Sequence, residues 1–106
     1  MDSKYDDAFE LLGERWQTIS DTQRHVLVGI AEQSKEVFTP GPQFTQEVMP
    51  VCHGLDSLRV MNCLKLIQIL YKKDLEENRS LIMESIQKSS QEIRAILEQL
   101  EQRLCA

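Results

Sequence analysis

Apolar residues at Tyr5, Ala8, Phe9, Leu12, Trp16 and Ile19 are spaced three, one, three, four and three apart, which is one face of a 3.6-period helix. Ser3 can cap its start, with Asp6 and Asp7 in the first turn, where the helix dipole favours acids. Ser20-Asp21-Thr22-Gln23 then has capping-box form, and a second stripe follows at Val26, Leu27, Ile30 and Ala31. Two helices meeting near Ser20 are preferred to one kinked helix. Gly13 and Gly29 each cost a helix about 1 kcal/mol against alanine, so both helices must lean on tertiary packing. Pro40, Pro42 and Pro50 cluster around Gly41 and mark the main break in the chain. No proline occurs over residues 51–106, and Gly54 is the only glycine there. No segment sustains period-two alternation. The pattern predicts an all-α chain of one domain, 1–106: a helical region at 3–36, a Pro-rich loop at 37–50, and a helical hairpin or long helix at 51–106. A small bundle of about four helices is expected.

Residues 55–72 carry two apolar faces. On a helical wheel Val60, Cys63, Leu64, Ile67, Leu70 and Tyr71 fall on one arc, an ordinary core face. Ser57, Lys65, Gln68 and Lys72 form a polar strip that also holds Met61. A second strip then gathers Leu55, Leu58, Asn62, Leu66 and Ile69. An outer helix of a small bundle needs one apolar face, so this second strip must be covered by another helix of the chain, a second copy or a different protein. The second strip is the candidate partner-binding surface, with Asn62 as a directional contact in an apolar seam. The alternative is a central helix packed on both sides within its own bundle.

Lys72-Lys73 followed by Asp74 and Glu76-Glu77 reads as one helix ending on cations and the next starting on acids. A hairpin near residue 73 is therefore preferred to a continuous helix about 75 Å long. The last helix carries a heptad-like run through Leu75, Ile82, Ile86, Ser89, Ile93, Ile96 and Leu100, widened by Met83, Leu97 and Leu104. Ile82, Ile86, Ser89, Ile93, Ile96 and Leu100 form the expected core or dimer seam, with Ser89 and Ser90 as small residues in its middle. About three heptads are marginal as an isolated coil, so a homodimer is the expectation.

Composition narrows the function. Among 106 residues, 17 acids and 12 bases give a net charge of −5, which argues against a protein that lives on nucleic acid or an anionic membrane. Residues 1–36 hold eight acids and four bases, whereas residues 54–79 hold four acids and five bases. The acidity therefore sits mostly outside the candidate surface. The acidic start lacks a signal-peptide pattern, the longest uncharged apolar stretch is residues 66–71, and three cysteines without CxxC spacing suit a reducing compartment. A cytoplasmic protein is expected. His25 and His53 are the only histidines, and neither has a metal-ligand pattern around it. Cys52-His53 are adjacent, with no third orienting group, and Thr39-Pro40-Gly41-Pro42-Gln43 has no lysine and is no phosphate loop. The expectation is no enzyme, no metal and no cofactor.

Residues 22–31 look like the opening helix of a helix-turn-helix domain, and His53-Gly54-Leu55-Asp56-Ser57-Leu58-Arg59 could imitate the approach to a recognition helix. That helix would offer mainly Arg59, Lys65 and Lys72 to DNA, against a leucine-rich face. A DNA-binding regulator and a secretion-type chaperone or adaptor are the alternative functions. The run Val51-Cys52-His53-Gly54-Leu55-Asp56-Ser57-Leu58-Arg59-Val60-Met61, followed by Leu64 and a long amphipathic helix, resembles the QslA-like quorum-sensing antiactivators. The resemblance covers roughly the second half of the chain. It implies a non-enzymatic, dimeric helical protein that binds a LuxR-type transcriptional activator and blocks its dimerisation and DNA binding.

Overall fold

The computed structural model describes residues 3–13, 19–39, 41–42, 44–52 and 54–105, and of residues 3–6 and 104–105 the backbone only. Five α-helices are described: α1 (Ser3–Leu12), α2 (Asp21–Gln33), α3 (Ser57–Lys73), α4 (Arg79–Gln87) and α5 (Gln91–Cys105). A π turn spans Phe44–Val48 and a 3-10 turn spans Glu76–Asn78. The described residues contain no strand, so the chain is all-α. The radius of gyration is 13.0 Å, close to the ~13 Å of a compact domain this long.

The predicted start signal at Ser20 is realised as a capping box. Ser20 Oγ accepts from the Gln23 N–H at 3.2 Å, and Gln23 Oε1 accepts from the Ser20 N–H at 3.1 Å. The two N-terminal helices are thus separate. The first ends earlier than the stripe through Trp16 suggests, because Gly13 adopts φ +73° and its N–H bonds back to the Glu10 carbonyl at 3.0 Å. Gly13 terminates α1 rather than weakening its interior. The expected stripe positions of the Tyr5 side chain and of Trp16, and the Ser3 and Asp6 side chains as cap and dipole partners, lie outside the described residues.

Helix α3 is the axis of the molecule. It packs against α1, α2, α4 and α5, and every residue from 60 to 69 is buried. The expected polar strip is therefore not a solvated face. Gln68 is fully buried: its Nε2 donates to the Glu36 carbonyl at 2.6 Å and its Oε1 accepts from the Phe38 N–H at 3.4 Å. Lys65 Nζ donates to the Lys88 carbonyl at 2.6 Å, closing the C-terminal end of α4. Lys72 lies with its ammonium 5.3 Å from the centre of the Tyr71 ring. Three polar side chains can be buried on the central helix because each reaches a specific partner.

The Pro-rich segment is also structural. Phe38, Phe44, Val48 and Cys52 are core residues, joining Ala8, Phe9 and Leu12 of α1, Leu27 and Ala31 of α2, and Ile93, Ile96 and Leu100 of α5 in one cluster around α3. The break after Lys73 falls where the charge switch placed it. The single long last helix is corrected, since the chain breaks again between α4 and α5. Ser89 Oγ donates to the Ser85 carbonyl at 2.5 Å, and Ser90 Oγ accepts from the Ile93 N–H at 3.3 Å. Both serines serve backbone groups that a continuous helix would have paired internally. Arg94 adds two bonds to carbonyls at the end of α4, from Nε to Ile86 at 3.2 Å and from Nη2 to Gln87 at 2.7 Å.

Candidate functional site

The five residues of the predicted partner strip do not share one surface. Leu66 and Ile69 are core residues, Leu55 is half-buried against the core, and Asn62 is only 8% exposed. The strip is lost as an outward face because helices of the same chain surround α3 beyond its first turn. Leu58 alone stays outside, at 62% exposure, more than Met83 at 57% or Val51 at 40%. The six residues expected as a core or dimer seam divide by burial. Ser89, Ile93, Ile96 and Leu100 are buried within the chain, and Ile82 and Ile86 are half-buried beside α3. The isoleucines and Leu100 are split between α4 and α5, with Ser89 in the break, so no continuous heptad exists to pair with a second copy.

Local chemistry holds Leu58 in place. Gly54 takes φ +86°, a conformation that disfavours side chains, and the Leu55 N–H bonds to the Cys52 carbonyl at 3.1 Å. Asp56 Oδ1 accepts from the Leu58 N–H at 2.9 Å and caps α3. Leu58 thus projects from the first turn of the most deeply packed helix, and its backbone is fixed.

Two concavities meet at Leu58. On one side an apolar hollow of about 500 Å³ is lined by Gly41, Phe44, Thr45, Met49, Leu58 and Met61, with Ser57 at its edge. Its far wall is the π turn, steadied by the Gly41 carbonyl, which accepts from the Thr45 N–H at 3.1 Å and from Thr45 Oγ1 at 3.2 Å. On the other side a narrower crevice of about 140 Å³ runs between Leu12, Leu58 and Cys63, with Asp56, Arg59, Asn62 and Glu92 as its polar groups. Phe44, Met49 and Met61 were not legible as site residues. Phe44, Val48 and Cys52 do recur every fourth residue, a helical signal that the flanking prolines obscured.

A third concavity, of about 280 Å³, lies over Ile69, Ile82, Ile86 and Leu97. Lys73 and Glu101 cross its edge as a 3.3 Å ion pair. Its apolar floor is half-covered by the chain's own side chains.

The reactive groups offer little chemistry in this arrangement. Cys52 and Cys63 are free and buried, and burial pushes both thiols up, that of Cys63 far above its ordinary value. Such thiols are inert at neutral pH. His53 lies outside the described residues, and so does the Cys52–His53 adjacency. Among the described residues no group of three His, Cys, Asp or Glu is placed to hold a metal ion, and no helix is long and apolar enough to cross a membrane. A recognition helix must lay one face in a DNA groove, whereas α3 is buried all round over residues 60–69. Residues 34–56 also separate it from α2, in place of a short turn.

No protein-family model, curated protein or solved structure matches the chain. The likeness to QslA-like antiactivators accordingly rests on residues 51–61 and Leu64.

Proposed function

We propose that this protein is a non-enzymatic regulator that binds another protein across the surface centred on Leu58. On the resemblance of residues 51–61, the partner is a LuxR-type transcriptional activator, which the complex keeps from dimerising and from binding DNA. One observation carries the reading: among the described residues, the most exposed large apolar side chain sits on a capped helix start between an apolar hollow and a polar crevice. Covering a leucine contributes about 1.5–3 kcal/mol when burial is complete, and an apolar ridge between two concavities suits an amphipathic helix laid across it. The hollow formed by Phe44, Met49 and Met61 supplies further apolar area, and residues 54–79 add no excess of acid to repel a partner. Homodimerisation belongs to the same proposal, with the half-buried Ile82 and Ile86 as the face open to a second copy.

The test is a gel-shift titration of a LuxR-type activator on its operator. The purified chain should release the DNA, and Leu58→Asp should fail to release it while unfolding at the wild-type temperature. Unaltered DNA binding at saturating protein, or full release by Leu58→Asp, would contradict the proposal.

A further inference from the structure

The crevice beside Leu58 contains a group that the fold does not use. Asn62 is more than nine-tenths buried, yet its carboxamide has no hydrogen-bond partner among the described residues. A buried amide without a partner is costly. Asn62 lines the crevice, and neither its oxygen nor its nitrogen is among the fully enclosed unpartnered atoms. One turn earlier on the same face, the half-buried Arg59 guanidinium also has neither ion-pair nor hydrogen-bond partner among the described residues. Residues three apart on a helix are neighbours, so the two sets of donors converge.

We propose that this crevice is a binding site for a planar carboxamide, and that within the docking surface it receives such a group from the partner. Two observations set the ligand class. Asn62 presents a donor and an acceptor side by side, and only a group carrying both can pair with it twice. The lining holds Arg59 and Asp56 of opposite sign, Glu92 being engaged with another residue, so a carboxylate ligand meets Asp56 and a cationic ligand meets Arg59. A neutral amide avoids both conflicts: Arg59 can donate to its oxygen, while Asp56, which spends one oxygen on the Leu58 N–H, can accept from its nitrogen. The volume of about 140 Å³ accommodates an amide and its first methylenes, being close to the ~150 Å³ of a cavity that holds benzene. The amide has two sources, an Asn or Gln side chain and a backbone peptide group. The role within the docking surface rests on the reading of Leu58 as a protein contact; the amide site itself does not.

The experiment is a heteronuclear NMR titration of the full chain with propionamide, N-methylacetamide, acetate and methylguanidinium in separate arms. The amides should move the Asn62 side-chain NH₂ and Arg59 Nε–H signals saturably. Tighter binding of propionamide identifies a side-chain amide as the natural occupant, and tighter binding of N-methylacetamide identifies a peptide group. Arg59→Met should weaken amide binding at least tenfold and Asn62→Leu should abolish it; Arg59→Met carries the test if Asn62→Leu does not fold. Three results would overturn the site: no saturable shift with either amide, tighter binding of acetate or methylguanidinium, or amide binding unchanged in Arg59→Met. Amide binding that survives alongside failure of the activator titration would retain the site and reject the docking reading. The reverse pattern would retain docking and reject the site.

Discussion

Gln68 offers the sharpest check on how the molecule is held together. Its amide fastens the chain after α2 to the central helix by two bonds, to the Glu36 carbonyl at 2.6 Å and from the Phe38 N–H at 3.4 Å. Gln68→Leu keeps similar volume and removes both. Phe38 is buried, so its N–H would be left unsatisfied at about 1–3 kcal/mol; the Glu36 carbonyl lies nearer to water and costs less. The expected loss is about 2–4 kcal/mol. With an unfolding entropy near 2.1 cal/mol/K per residue, 106 residues give about 0.22 kcal/mol/K, so the melting temperature should fall by about 9–18 °C. Calorimetry and urea unfolding measure this directly. Gln68→Glu adds a signature that packing loss cannot imitate. A buried carboxylate facing a carbonyl is disfavoured, whereas its protonated form can donate to that carbonyl. The folded state then binds the extra proton, and stability rises as pH falls towards the ordinary carboxyl range. A Gln68→Leu variant within about 0.5 kcal/mol of wild type would place Gln68 at an ordinary surface and refute the central position of α3.

Two further predictions concern buried titratable groups. Burial first, and Lys88 second, hold the Lys65 ammonium below its ordinary 10.5. The unfolded chain therefore binds more protons than the folded one between the lowered value and 10.5, so stability of the wild type relative to Lys65→Met should rise with pH through that window. A flat difference in urea midpoints from neutral pH to 10.5 would contradict this. Burial raises the Cys52 and Cys63 thiols above the ordinary 9.0, so the unfolded chain ionises first and their contribution to stability should fall as pH rises past 9. In the same sense, both thiols should react with a disulfide reagent at neutral pH no faster than the chain opens, and at once in denaturant. Prompt reaction of either in the native state would show that it is not enclosed.

Local signals in this chain were far more legible than surroundings. The Ser20 capping box and the charge switch after Lys73 each depend on neighbours within a turn, and each is where the pattern puts it. Lys65 and Gln68 belong to a polar strip by their chemistry; their burial depends on carbonyls that are distant in sequence, those of Lys88 and Glu36. Helical periodicity likewise showed that α3 has two apolar faces without showing what covers the second. Leu66 and Ile69 went to the core, and Leu58, one turn from the cap, did not. The heptad run through Ser89 persisted across a helix break because α4 and α5 both turn apolar residues towards α3, which preserves the spacing without preserving the helix. The hollow was hidden because its wall is a proline-flanked turn whose core residues, Phe44 and Val48, carry no sequence mark of a binding surface.

The central claim is that Leu58 is the contact that matters. Isothermal titration of a LuxR-type activator with wild type, Leu58→Ala and Met83→Ala compares the two most exposed large apolar side chains of the described surface. Leu58 is 62% exposed, so its burial is worth about 1–2 kcal/mol of the 1.5–3 kcal/mol for a whole side chain. Its loss should weaken binding by about 5- to 30-fold, at about 1.4 kcal/mol per factor of ten. Met83→Ala should leave the affinity within twofold of wild type. Undiminished affinity in Leu58→Ala with loss of binding in Met83→Ala would move the interface to α4 and contradict the account.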